Sequence, residues 1–354
     1  MNPVPLKEAQ NIAVIRTDHI GDLIVSTPFL NALRKAAPQA KITAILPKYT
    51  EQVLYNTNLV NEILTYDGKP DSQFLAKVKD IKADIAISLA PRTVAYKLAH
   101  ATGAPCRVGY YYANRPLTAI MCRILYLTHT MSLNLFKELR LGHPILHEVQ
   151  QLGELAKAMQ MKYTDESLHL VLDEKERSEA QKIVHEWNPP LAALQLHNNW
   201  LSSNWSFDNM LELINLIKAH AQGGHLMIFY GPAEKELAQN LQNRLADDPS
   251  LHFLGGLTFR QWASLLDSAD FVVTPDTGAV HLASSLHKTV IAIYEERTAT
   301  LNTQQWAPWQ VPHRSIVKGE PEQTLKQIDL ALNDLLVDKL AWEAIKLKEE
   351  ENIT

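Results

Sequence analysis

A chain of 354 residues is too long for one ordinary core and suits two α/β domains. With 46% hydrophobic and 21% charged residues, and no low-complexity run, it belongs to neither the fibrous nor the disordered class. A formal charge of −5 argues against nucleic-acid binding driven by overall positive charge. The first ten residues, MNPVPLKEAQ, lack the apolar core of a signal peptide. Strands are predicted at Asn11 to Arg16, Lys41 to Leu46, Glu62 to Tyr66 and Asp84 to Leu89, with helical patterns such as Leu23 to Ala36 between several of them. This βαβα spacing implies a mainly parallel sheet covered on both faces. The most apolar stretch, Leu117 to Phe136, is broken by Arg123, Thr128, His129 and Thr130 and is not expected to span a membrane. Gln150 to Glu186 is largely helical and charged, with a hinge expected at Asp173 to Arg177. Strands restart at Leu191 to His197 and continue at His225 to Tyr230, Leu251 to Leu254, Phe271 to Thr274 and Thr289 to Tyr294. Helices are expected at Phe207 to His220, Glu234 to Ala246 and Phe259 to Asp267. An amphipathic helix is predicted over Leu335 to Lys348, with Leu336, Leu340 and Ile345 near one side.

Two strand-to-helix turns carry the chemistry. In FVVTPDTGAVHLASSL, an apolar strand breaks at Pro275-Asp276-Thr277-Gly278 and opens a helix carrying His281. The first N–H groups of a helix have no intrahelical partner and bear about half a positive charge, so such a turn suits phosphate; alone, an ordinary corner capped by Asp276 is an equal reading. In IAVIRTDHIGDLIVSTPFLNALRKAAP, Asp22 falls in the first helical turn at the C-terminal edge of a parallel sheet, where ligands bind in open α/β folds. A carboxylate that merely favours a positive helix end is the competing reading.

Other side chains carry less. Cys106 and Cys122 show no pairing or metal spacing, as in a reduced, cytosolic protein. His143 and His147 are four apart but lack a third ligand, and Gly255-Gly256 is a turn rather than a dinucleotide fingerprint. From Ile85 to Lys137 the only charged residues are basic: Arg92, Lys97, Arg107, Arg115, Arg123 and Lys137. Such a segment in an acidic chain suggests an anionic partner, and Tyr110, Tyr111 and Tyr112 beside Arg115 suit a sugar or lipid headgroup equally.

Taken together, RTDHIGDLIVSTP and PDTGAVHLASSL resemble the paired signatures of glycosyltransferase family 9, the bacterial heptosyltransferases of the lipopolysaccharide inner core. GAPCRVGY (103–110), HEVQQLGEL (147–155), FYGPAEKELAQNL (229–241) and GGLTFRQWASLLDSADFVV (255–273) extend the resemblance from about Asn11 to Trp309. The resemblance implies a GT-B fold: two Rossmann-like domains facing each other across a cleft. An acceptor-binding domain is expected over 1–172, a nucleotide-sugar domain over 173–325, and C-terminal helices over 326–354 that pack back on the first domain. Asp22 matches the family's general base. Asp276 matches the residue on the donor's sugar hydroxyls, Thr277 and Gly278 those on its diphosphate, with His281 near the phosphates or sugar. Glu234 resembles the acid on the donor ribose, Leu257 lies near the adenine, and Glu148 has a helix-packing role. Implied partners are an ADP-activated heptose and an anionic lipopolysaccharide-core acceptor, the latter held by Arg92, Lys97, Arg107 and Arg115. No metal or other cofactor is implied, and no nucleic acid. Peripheral contact with the inner face of the membrane is expected if the acceptor is a lipid.

Two departures stand out. The family commonly has a Lys shortly before a Trp after the first strand of the second domain, where its ammonium neutralises donor phosphate. Here LHNNWLSSNWSFDNM puts Ser203 and Asn204 before Trp205 and has no Lys or Arg, so the phosphate relies on the helix N-terminus and neutral donors such as Asn198, Asn199 and Ser202, or another cation substitutes, or activity is weak. Glu295-Glu296-Arg297 stands where a Gly-Pro-Thr type turn is usual, placing two acids near the expected phosphate site. These changes motivate one alternative, a non-catalytic binder of nucleotide sugar or lipid; the shared architecture leaves another, a sugar-nucleotide epimerase.

Overall fold

A computed structural model describes residues 4–245 and 248–335. The chain divides into two compact units, Met1–Val171 and Leu172–Thr354. The first holds β1 (Asn11–Ile15), β2 (Lys41–Pro47), β3 (Glu62–Tyr66), β4 (Ile85–Ser88), β5 (Cys106–Tyr112) and β6 (His129–Leu133) in the order β3-β2-β1-β4-β5-β6. In the second, β7 (Leu191–Gln195), β8 (His225–Tyr230), β9 (Leu251–Gly255), β10 (Phe271–Pro275), β11 (Thr289–Glu295) and β12 (His313–Lys318) run β12-β11-β10-β7-β8-β9. Adjacent strands pair in parallel throughout, as between β1 and β4 and between β10 and β7. Both sheets therefore have the doubly wound Rossmann order, in which the chain reverses direction beside its first strand. Crevices open at those reversals, above β1/β4 and above β7/β10.

The central strands read as unbroken apolar runs because helices cover both faces. Ile12, Ala13, Ile15, Ile85, Ala86 and Ile87 are fully buried in the first sheet, and Ala192, Leu194, Val272 and Val273 in the second. Three strands were not expected from sequence: β5, β6 and β12. β5 is interrupted by Gly109, while β6 and β12 are edge strands carrying His129, Ser132, His313 and Arg314 in place of an apolar run.

Asp173–Arg177, expected as a hinge, instead begins a helix, Glu174–Val184. Asp173 caps it by accepting from the Glu176 N–H at 2.8 Å, and Arg177 pairs with Asp267 at 3.1 Å. Near the C-terminus, Ile328, Ala331, Leu332 and Leu335 pack into the core of the second unit. The remainder of the amphipathic segment predicted over 335–348 lies outside the described residues.

Trp187 stacks on His252 at 3.6 Å between ring centroids, and His252 Nε2 lies 2.8 Å from His225 Nδ1. Burial, with His225 adding to it, pulls the His252 imidazolium from 6.5 down to about 4. In the folded chain this ring stays neutral where the unfolded chain would protonate it. Its contribution is therefore full above about pH 6.5 and is lost as the pH falls towards 4. After discounting for solvent around a half-buried ring, it amounts to about 1–2 kcal/mol. Melting temperatures between pH 7 and 4 should fall less steeply for His252→Gln than for the parent, and identical slopes would remove His252 as a cause of acid instability.

Candidate active site

At the C-terminal edge of the first sheet, the β1–helix turn delivers Arg16, Asp18 and Asp22 to the β1/β4 reversal. The Arg16 guanidinium is 2% exposed, which is tolerable only because carboxylates surround it. It lies 3.0 Å from Asp22, 3.3 Å from Glu148 and 3.6 Å from Asp18, and also donates to the Leu89 carbonyl after β4. Burial opposes its charge, yet the acids, Asp18 foremost, raise its affinity for the proton above that of ordinary arginine. Arg92, on the loop after β4, adds a second cation 2.8 Å from Asp18.

Asp22 is the more accessible carboxylate, 18% exposed against 6% for Asp18. One of its oxygens meets Arg16, and the other accepts from the His19 N–H at 3.0 Å, so the side chain cannot rotate without losing one of these partners. For Asp18, burial pushes the carboxyl above its usual range against the pull of Arg16, and the Asp22 charge adds to the rise. Asp18 lies in the same turn, and only the fold, by setting Arg16 and Arg92 against it, marks it out. The family resemblance implies helix packing for Glu148. The structure corrects this: Glu148 is 1% exposed and accepts from the Tyr110 hydroxyl at 2.7 Å beside Arg16. Only the fold brings residue 148 to residue 16.

Of the predicted acceptor cations, Arg92 joins this cluster. Arg115 follows β5 at the same edge, its guanidinium 5.4 Å from the Tyr112 ring centre. Lys97 is exposed in mid-helix (Thr93–Ala101). Arg107, near the N-terminal start of β5, donates to the Tyr126 and Ala104 carbonyls at 2.6 Å each. His143 pairs with Glu138 at 2.8 Å, while His147 Nδ1 accepts from the Val149 N–H, so these histidines have separate local partners.

The second sheet presents the predicted donor residues along its C-terminal edge. Thr277 caps the Gly278–Ser285 helix, its hydroxyl accepting from the Ala279 N–H at 3.3 Å. Asp276 is fixed by its own N–H to the Ile293 carbonyl at 2.8 Å and by an Asn302 amide at 2.6 Å. His281, 4% exposed, packs edge-on against Trp306 at 5.8 Å. Asn198 follows β7 and donates to the Ala233 carbonyl at 3.3 Å. Glu234 follows β8 and is 6% exposed. Beyond β9, Gly256 takes a φ of 70°, which glycine adopts without strain, and the turn leads to half-buried Leu257.

The loop that lacks the expected lysine contains a cation from elsewhere. Lys318, the last residue of β12, is 2% exposed, and its Nζ donates to the carbonyls of Asn199, Trp200 and Ser202 at 2.6, 2.9 and 2.8 Å. It lies 3.3 Å from Glu295, whose carboxylate also accepts from the Ser202 hydroxyl at 2.6 Å and from Ser203 at 3.2 Å. Burial pulls the Lys318 ammonium below its usual value, partly opposed by Glu295. Burial would raise the Glu295 carboxyl, but Ser202 and Lys318 outweigh it and hold it below the usual range. In this way the chain after β7 is carried past β10 to β11 and β12, beside the Asp276–Gly278 turn. The two departures read in the sequence, a missing cation and a surplus acid, meet in one ion pair.

A family model described as glycosyltransferase family 9 (heptosyltransferase) matches residues 72–329. A Haemophilus influenzae protein named as a glycosyltransferase is 24% identical over 339 residues, 91% of this chain and 93% of that protein. Among solved structures, a family 9 glycosyltransferase from Veillonella parvula superposes with a TM-score of 0.75 at 20% identity, covering 96% of this chain and all of that one. The Escherichia coli ADP-heptose lipopolysaccharide heptosyltransferase II gives 0.71 at 18% identity, over 93% and 99%. The doubly wound sheets described above are thus those of GT-B heptosyltransferase structures, and the chain belongs to glycosyltransferase family 9.

Proposed function

We propose that this glycosyltransferase moves a heptose or closely related sugar, with inversion, from an ADP-activated donor to a lipopolysaccharide inner-core acceptor. The observation that carries the donor half is the order of residues along the second sheet. Ser202 reaches the ends of β11 and β12, Asp276, Thr277 and Gly278 stand over β10, Asn198 over β7, Glu234 over β8 and Leu257 over β9. In that order they offer hydroxyl acceptors, phosphate-binding N–H groups, a ribose-binding acid and an apolar base contact, which is the order of groups along a nucleotide sugar. Three strand spacings, about 14 Å, suit an extended nucleoside diphosphate.

In this reading Asp22 takes the proton from the acceptor hydroxyl as that oxygen attacks the anomeric carbon. The bond to the leaving phosphate breaks, and its growing charge falls on the Gly278–Ser285 helix terminus. Arg92 and Arg115 hold acceptor anions at the first sheet's edge. The name of the E. coli relative supports ADP-heptose and lipopolysaccharide as the substrates. Glu295, paired with Lys318, is no longer an uncompensated acid near the donor, which favours catalysis over the non-catalytic reading.

The test is a melting-temperature screen with ADP, GDP and UDP, followed by incubation of ADP-heptose with heptose-deficient lipopolysaccharide. ADP should protect most, and the acceptor should gain the mass of one heptose. Stronger protection and transfer with a UDP- or GDP-sugar would overturn the donor assignment. Conversion of the donor with no acceptor present would mark an epimerase.

A further inference from the structure

The segment joining β5 to β6 turns its apolar side outward. Leu117 and Ile120, in the Pro116–Met121 helix, are 78% and 55% exposed; Ile124 and Leu125, in the π-helical turn Cys122–Tyr126, are 74% and 54% exposed. Positions 117, 120 and 124 share one side of a helix, while Cys122 and Leu127 face the other way into the core beneath Tyr96 and Ala99. The segment is therefore anchored on one side and carries four large aliphatic groups on the other. Scattered exposed leucines need no explanation, but four within nine residues form a patch that does.

We infer that this surface is an in-plane docking site for an anionic lipid bilayer. Charge complementarity selects that occupant. Arg115 and Arg123 are exposed at the rim, and no acidic residue occurs between positions 85 and 137 of a chain whose net charge is −5. Aliphatic groups inserted at the headgroup boundary beside basic side chains are what an anionic membrane surface retains. No helix among the described residues is long and apolar enough to cross a bilayer, so the contact is peripheral. The helix starts just after Tyr112, at the same end of the sheet as Asp22 and Arg92. A bilayer under it lies next to the acceptor side of the first unit. The inference goes beyond the transfer reaction, since vesicle binding needs neither donor nor acceptor.

The experiment is co-sedimentation of the full chain with phosphatidylcholine vesicles and with vesicles containing 30% phosphatidylglycerol. Partitioning should favour the anionic vesicles and weaken with salt. It should fall about tenfold in Leu117→Ser/Ile124→Ser and in Arg123→Glu. These sites are exposed, so melting temperatures should not change, and transfer to a short water-soluble core oligosaccharide should be retained. Failure to bind either vesicle, or equal binding by parent and variants, overturns the docking site whatever the transfer assay gives. Concentration-dependent dimerisation that disappears in Leu117→Ser/Ile124→Ser would assign the patch to a second copy instead.

Discussion

Replacing Asp22 with Asn should lower turnover by a factor of about 10²–10⁴, the range supplied by a positioned general base, while leaving ADP affinity within about twofold. The loss has two physical parts. An amide has no useful basicity, so the acceptor hydroxyl must attack with its proton still in place. The amide also cannot reproduce the carboxylate's hydrogen bonds. Arg16 and the His19 N–H both donate to Asp22, one to each oxygen, whereas Asn offers a single acceptor and turns an NH₂ group towards the other donor. Leaving Arg16 with one acid fewer costs about 1–3 kcal/mol of local stability. The melting temperature should therefore fall slightly as turnover collapses.

Asp18→Asn provides the control that separates base from scaffold. Asp18 is 6% exposed and already engaged by Arg92 and Arg16, so its loss should act mainly on how those cations meet the acceptor. The expected result is a higher acceptor KM with turnover reduced about tenfold or less. If instead Asp18→Asn abolishes turnover and Asp22→Asn leaves it near normal, the base is Asp18 and the assignment of Asp22 fails. Single-turnover rates with both variants at saturating donor decide the matter.

Legibility followed how local each signal was. β1 and β10, with the turns after them, announce themselves because a buried parallel strand is a run of apolar residues and its turn is short and polar. The same signal places Asp22, Asp276 and Thr277 in those turns. β12 gives no such signal, since HRSIVK alternates like a half-exposed edge and resembles a loop in isolation. Without β12 the sequence leaves open whether another cation serves the lysine-free loop after β7, and Lys318 cannot be named as that cation. Glu148 was hidden differently: its helix is plain from the pattern, but its partner Arg16 lies 132 positions away and only the folded sheet unites them. A compensating charge supplied through space leaves no mark in the segment it compensates.

Lys318→Met is therefore expected to impair donor binding more than acceptor binding, although residue 318 lies more than a hundred positions from the loop it holds. The ammonium ties together three carbonyls of the 199–202 turn and the Glu295 carboxylate. Directly after that turn, Ser203 and Asn204 both have left-handed backbones, with φ of 54° and 63°. Consecutive non-glycine residues in that region cost of order 1 kcal/mol or more each, and they persist only when neighbouring contacts hold them. Methionine keeps the length of the side chain but leaves the half-buried Glu295 without its cation and three carbonyls without their donor, a loss of about 1–3 kcal/mol once solvent around the carboxylate is allowed for. The loop bearing Asn198 and Ser202 should then relax, and ADP affinity should fall at least about tenfold, or 1.4 kcal/mol, with acceptor KM unchanged. Glu295→Gln retains an acceptor for Lys318 and should cost less. The double variant should recover part of the loss, because neither charge is then left alone, giving a coupling of about 0.5–3 kcal/mol in a double-mutant cycle. Calorimetric ADP titration of the four proteins measures this directly. Additive losses would mean that the pair does not act as a unit. Unchanged ADP affinity in Lys318→Met would mean that the 198–205 loop does not hold the donor.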